Sequence, residues 1–268
     1  MSLGLACGSV FIIDTTVHSL QEQSIEKENE EDEEIKATAS GYWMDYAKTT
    51  RPSGSGTYSD PYRINSAQTL ANFAYMVNNN YKNSDSGLLY QDAYVELTAN
   101  IDLSAHYWTP IGSSAYSTTS GWWIFSSTTW HPYYFAGSFG GNGYTISGMT
   151  INVSGADGII SDYVSGHTYD YGDETVNFTF RNCAAIGFFG LTVGARIKNF
   201  NLDNGRISIY SSGNSNKSLW THVGAVVGLL SGGSISNVKN EGVRISYTQY
   251  SGDGATASYS MMIGGVIG

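Results

Sequence analysis

Two stretches of the chain carry residue types that can do chemistry. The first, ADGIISDYVSGHTYDYGDE, holds Asp157, Asp162, Asp170, Asp173 and Glu174. Sugar cleavage needs two carboxyls flanking the scissile bond. A calcium ion needs roughly 6–8 oxygen ligands, and Asp157, Asp162, Asp170 and Asp173 are the candidates, although their spacing matches no EF-hand loop. The plain alternative is a solvated polar loop. The second stretch, GWWIFSSTTWHPYY, holds Trp122, Trp123, Trp130, Tyr133 and Tyr134. Aromatic faces stack on sugar rings while their polar edges bond to hydroxyls, so these five residues form a candidate ligand-binding platform. The alternative is that the rings fill the interior nearby.

Signatures of other chemistry do not occur in the sequence. There is no His-Glu-x-x-His zinc core, no phosphate-binding Walker loop and no Gly-x-Ser-x-Gly nucleophile turn. GGNGYT (Gly140 to Thr145) lacks the last glycine of a dinucleotide fingerprint. Cys7 and Cys183 provide neither a disulfide framework nor metal spacing. No cofactor is expected, and the chain is read as a non-enzyme.

The elements that would position these residues come from the pattern of the chain. Charged residues make up 13% of it and the net charge is −10, most of which falls in Glu22 to Lys36. A segment that charged stays solvated, so 20–59 is read as an acidic, Gly/Ser-rich linker. The acidic balance and the lack of a basic patch argue against a nucleic-acid partner. Residues 1–19 read as a signal-peptide-like segment ending near Ser19. Their apolar run is too short for a bilayer, which takes about 20 residues, and no membrane span is expected. One helix stands out: Ser66 is a good N-cap, and Leu70, Phe73, Ala74 and Val77 share one apolar face.

Beyond the helix the chain repeats itself. IGFFGLTVGARIKNFNLDNGRISIY (Ile186 to Tyr210) returns as VGAVVGLLSGGSISNVKNEGVRISY (Val223 to Tyr247), with Gly190, Ile197 and Asn199 falling on Gly228, Ile235 and Asn237. A third copy ends at Gly268. An earlier, degenerate copy is read in Ile146, Met149 and Ile151, matched to Ile197, Phe200 and Leu202. Repeats of about 20–50 residues mark stacked architectures, because a single unit cannot bury its own apolar face. Short runs of alternating polarity point to strands. Strands of about 5 residues make a three-sided coil of about 20, so each unit is expected to be two coils. The fold class is all-β, a right-handed parallel β-helix with an N-terminal capping helix. The alternative is a set of β-propeller-like repeats. Gly190, Gly228 and Gly268 are expected at corners of positive φ, with the apolar residues between the motif glycines pointing inward. Asn199 and Asn237 are expected either to form a side-chain ladder or to hold left-handed corners.

Gly187-Phe188-Phe189-Gly190, Ala225-Val226-Val227-Gly228 and Gly265-Val266-Ile267-Gly268 resemble the GLUG motif, a repeat of bacterial surface proteins. FAGSFGGNGYTISGMTI (Phe135 to Ile151), ELTANIDLSAHYWTPIG (Glu96 to Gly112) and DPYRINSAQTLANFAYMVN (Asp60 to Asn78) resemble the segments leading into it. The resemblance spans about Asp60 to Gly268. It divides the body into a cap with first coils and the aromatic-rich loop (60–136) and the repeats (137–268). It implies a secreted or surface-displayed β-solenoid acting as an adhesin or stalk module, with an extracellular glycan or a host or matrix protein as partner. Such repeats also flank metallopeptidases, so a carbohydrate-active β-helix or a protease leader is the alternative. The abrupt end at Gly268 is read as the edge of a fragment, with further repeats beyond.

Overall fold

The computed structural model describes residues 41–47, 50–113, 115–120, 127–154, 165–171, 174–181, 183–212, 219–250 and 259–268. The signal-like segment and the acidic run lie outside these residues, as do Trp122, Trp123, Asp157, Asp162 and Asp173.

The described chain is an all-β fold of parallel sheets with little helix. A 3-10 turn (Trp43–Tyr46) comes first, then β1 (Tyr62–Ile64), helix α1 (Ala67–Asn78) and a second 3-10 turn (Tyr90–Asp92). β2 (Tyr94–Leu97) and β3 (Ile101–Asp102) follow, then the pair β4 (Ala115–Ser120) and β5 (Ser127–Pro132). Next come β6 (Ser138–Gly140), β7 (Thr145–Ser147), β8 (Thr150–Ser154), and the pair β9 (Ser165–Tyr171) and β10 (Glu174–Arg181). The first repeat supplies β11 (Cys183–Ile186), β12 (Phe189–Val193), β13 (Arg196–Asp203) and β14 (Arg206–Ser212). The second supplies β15 (Leu219–Gly224), β16 (Val227–Ser231), β17 (Ser234–Glu241) and β18 (Arg244–Tyr250), and β19 (Tyr259–Gly264) begins the third.

Each strand of one repeat pairs in parallel with its counterpart in the next: β11 with β15, β12 with β16, β13 with β17, β14 with β18, β15 with β19. Ile197 lies beside Ile235, and Arg206 beside Arg244. The chain therefore visits four sheets before it returns beside itself, and one 38-residue unit is a single circuit. The expectation of two circuits per unit is corrected by this register. It assumed three strands of five residues, whereas β13 alone has eight. A propeller blade instead pairs antiparallel strands within one repeat, which is not the pairing found between these repeats. Among the described strands, β4 with β5 and β9 with β10 pair antiparallel. Both are side excursions from the parallel stack, and β5 lies beside β9.

The degenerate copy pairs differently from its expected alignment. Phe139, not Ile146, stands beside Ile197. Ile146 stands beside Leu202, and Ile151 beside Ile207. The β9–β10 excursion lengthens the chain between these circuits, so a fixed offset slips by several residues.

The interior is built from columns of apolar side chains. One runs Tyr62, Val95, Phe139, Ile197, Ile235, from strand to strand. Trp108 and Phe135, from the aromatic-rich region, are fully buried. Phe188, Phe189, Val226 and Val227, the inner residues of two repeat motifs, are 0% exposed. Inward positions on β17 to β19 are less covered: Ile235 and Ile245 are half-buried, and Ile263 is exposed.

Asn199 explains how one eight-residue strand can serve two walls. Its φ is +61°, a left-handed conformation that asparagine tolerates better than most residues. The kink shifts the parity of the strand. Ile197 points inward, and the next inward residues are Phe200 and Leu202 rather than 199 and 201. Asn237 repeats the corner with φ +50°, and its Nδ2 donates to Asn199 Oδ1 at 3.0 Å. The left-handed corner and the side-chain ladder occur together. Asn199→Ala is expected to cost about 1–2 kcal/mol, whereas Asn199→Gly keeps the corner and loses only the ladder. Thermal melts of the two variants check the order.

Candidate functional site

The helix that starts the fold also shapes a cleft against the loop that follows it. Ser66 caps α1, its side chain accepting from the Thr69 N–H at 3.2 Å. Leu70, Phe73, Ala74 and Val77 are buried. Phe73 meets Tyr62, Tyr90 and Phe135 ring to ring, so the helix closes over the edge where β1 ends its sheet.

The run Asn78-Asn79-Asn80 ends the helix by a defined geometry. Asn80 takes φ +52°. Its N–H donates to the Val77 carbonyl at 3.1 Å, and the Tyr81 N–H donates to the Met76 carbonyl at 3.0 Å. This is the Schellman closure, in which a left-handed residue satisfies the last helical carbonyls. It turns the chain back on the helix and lays the Tyr81 ring against Tyr75, centroids 5.9 Å apart and 29° from parallel. Asn78, buried, reaches the other way. Its amide donates to the Pro110 carbonyl, and its Oδ1 accepts from the Gly112 and Ser113 N–H groups at 2.8 and 2.9 Å. The first circuit is thereby pinned to the helix end.

Past Tyr81 the loop is held by Asn83. Its Oδ1 accepts from the N–H groups of Asp85 and Ser86, the Asx turn that this residue favours. Its Nδ2 donates to the Tyr62 hydroxyl at 2.6 Å. Tyr62 and Tyr90 stack with centroids 4.9 Å apart and planes 5° from parallel. Burial, helped by the Tyr90 hydroxyl, pushes the Tyr62 phenol above its ordinary value. It therefore remains a neutral hydroxyl.

Between helix, loop and the 51–54 segment lies a cleft of about 590 Å³. That volume is within the range of small-ligand sites, about 300–1,000 Å³. Tyr62, Tyr75, Tyr81 and Tyr90 line it, with Arg51 and Lys82 among its exposed residues and Asp85 beside them. Asn72 also lines it and is fully buried. Its Nδ2 donates to the Ala47 carbonyl at 2.5 Å, and its Oδ1 has no donor among the described residues. A buried acceptor left in that state costs about 1–3 kcal/mol, which a water or a ligand hydroxyl would relieve.

Some of the residues singled out from the sequence fall among the described residues. Trp130 stands on β5 and Asp170 on β9. Tyr133 and Tyr134 are half-buried in the segment between β5 and Phe135. Neither Tyr133 nor Tyr134 lines the cleft. The cleft's own signals were an asparagine within the helix at position 72, a residue type that fits helix interiors poorly, and tyrosines spaced on both sides of the Asn78-Asn79-Asn80 stop.

Among the described residues, no group of three or more His, Cys, Asp or Glu could hold a metal ion. No described helix is long and apolar enough to cross a membrane.

The buried His222 and the half-buried Asp92 give the fold opposite responses to acid. Burial holds His222 below its ordinary 6.5, so the fold keeps it neutral. Its contribution is intact above pH 6.5 and is lost as pH falls from there towards the folded value. Burial raises Asp92 above its ordinary 3.8. Its contribution is greatest below 3.8 and is lost as pH rises through the folded value. Stability is expected to fall as pH drops below about 6.5, and His222→Gln should flatten that slope in a series of melts.

No protein-family model, no curated protein and no solved structure matches the chain.

Proposed function

We propose that this chain is a secreted or cell-surface, right-handed parallel β-helix that serves as a stalk or adhesive binding module without covalent chemistry. One observation carries the reading. Residues 37 or 38 apart pair in parallel along four successive strands, as Ile186 with Val223 and Phe189 with Val227 lead into Ile197 with Ile235 and Ile207 with Ile245. Stacks of this kind grow by adding circuits, each covering the last, and so make a rod that presents loops along its length. The GLUG-like motifs and the low charge of the body agree with a surface role. The partner is an extracellular glycan or a host or matrix protein.

Two experiments test the reading. Excising residues 188–225 joins equivalent positions of neighbouring circuits and should leave a cooperatively folded, shorter protein; collapse of all β structure would count against the β-helix. The intact chain is then applied to immobilised glycans and matrix proteins. Saturable binding with the partner chemically unchanged is expected. Release of cleaved sugar would replace the binding module with the carbohydrate-active alternative.

A further inference from the structure

We propose that the tyrosine-lined cleft over α1 is a binding site for an acidic sugar, one or two rings long. The inference rests on the reading of the chain as a binding module and places a ligand class at a specific point on it.

Four features converge there. The volume of about 590 Å³ suits a ligand of that size. Tyr81, 46% exposed, stacks on Tyr75, and both rings line the cleft. Aromatic faces take the C–H face of a sugar ring, and phenol hydroxyls take its polar edge. Asn72, fully buried, brings an acceptor that no donor among the described residues satisfies, and hydroxyls are the donors a sugar has in excess. Finally, Arg51 and Lys82 face a single acid, Asp85, at the cleft. In a chain of net charge −10, a locally positive rim favours a carboxylate-bearing ring over a neutral one.

The site is also stiff. Its outer wall is set by the Schellman turn at Asn80 and by the Asn83 bonds to Asp85, Ser86 and Tyr62. Ser86 Oγ ties the same loop to the Ser55 carbonyl at 3.0 Å. A preformed wall lowers the ordering cost of binding.

The test uses the full chain with two soluble probes, a galacturonic acid dimer and cellobiose, titrated by calorimetry. The acidic dimer is expected to bind saturably and more tightly than the neutral one, with the difference shrinking as salt is added. Tyr81→Ala should weaken binding roughly ten-fold, while Tyr81→Phe stays within about two-fold of the parent. Arg51→Gln with Lys82→Gln should erase the preference for the acidic probe. The exposed positions of Tyr81, Arg51 and Lys82 leave the melting curve as a control for folding. The proposal is overturned if neither sugar saturates by about 10 mM, if Tyr81→Ala binds like the parent, or if a proline-rich peptide occupies the cleft instead. Should Tyr81→Ala keep full binding to the immobilised partners, the binding module stands and this cleft is not its site.

Discussion

Replacing Gly228 by alanine is expected to destabilise the fold by about 3 kcal/mol or more. The reason is proximity rather than backbone conformation. Gly228 lies in β16 and does not have a positive φ. A Cβ there would stand 2.3 Å from the Ile186 nitrogen and 2.6 Å from the Ala185 carbonyl carbon. These are backbone atoms of β11 in the preceding circuit, and β11 is already locked in parallel to β15. Neither side can withdraw without breaking a ladder. Gly190 is similar, with a Cβ 2.7 Å from the Gly112 oxygen. The expected positive φ at these motif glycines is therefore corrected: glycine is required because successive circuits touch backbone to backbone. Gly232 makes the contrast. It has φ +67° and open space around its Cβ position, so Gly232→Ala should cost only about 1–2 kcal/mol. Chemical denaturation of the two variants measures the gap, and equal losses would mean that β16 shifts aside.

The largest side-chain effect is expected at Phe188. Truncation to alanine should cost about 3–5 kcal/mol, lowering the melting temperature by roughly 6–20 °C in a body of this size. Phe188 is 0% exposed. Its ring stacks on Trp108 at 5.4 Å and 11° and meets Phe139, Phe189 and Phe200 at 5.8, 4.9 and 5.9 Å. Trp108 Nε1 donates to the Phe188 carbonyl at 3.1 Å, so the indole is oriented by the same residue it packs on. The lost ring leaves a cavity among stiff neighbours that cannot collapse. Val226 holds the equivalent place one circuit later and is equally buried. Val226→Ala removes fewer atoms and should cost roughly 2 kcal/mol. A comparable loss at both positions would show that the aromatic cluster adds nothing beyond the motif position.

The repeat, the strands and the helix were legible because each is written in local periodicity. Alternation around Ile197 and Ile207 and the face Leu70, Phe73, Ala74, Val77 need only the chain's own geometry. The 38-residue offset was legible for the same reason, since residues that stack on identical neighbours are drawn from the same types. Its meaning was not. One circuit or two depends on how many walls the chain visits, and only the pairing of Ile197 with Ile235 decides that. The slip at Ile146 has the same origin, because an excursion of arbitrary length between circuits leaves spatial register untouched while it shifts sequence offset.

The aromatic-rich region divides in a way composition could not foresee. Trp108 and Phe135 fill the core, and Tyr133 and Tyr134 stay half-buried. The cleft was least legible of all. Tyr62, Asn72, Tyr81 and Tyr90 come from a strand, a helix, a loop and a 3-10 turn, with no spacing that unites them. By itself the sequence determined that the chain would build parallel layers behind one helix, since burial of alternating apolar residues is a local demand repeated at each circuit. The tertiary structure alone decided which glycines face backbone, which rings meet, and where four tyrosines enclose a cavity, because those are contacts between segments whose distance along the chain carries no information about their distance in space.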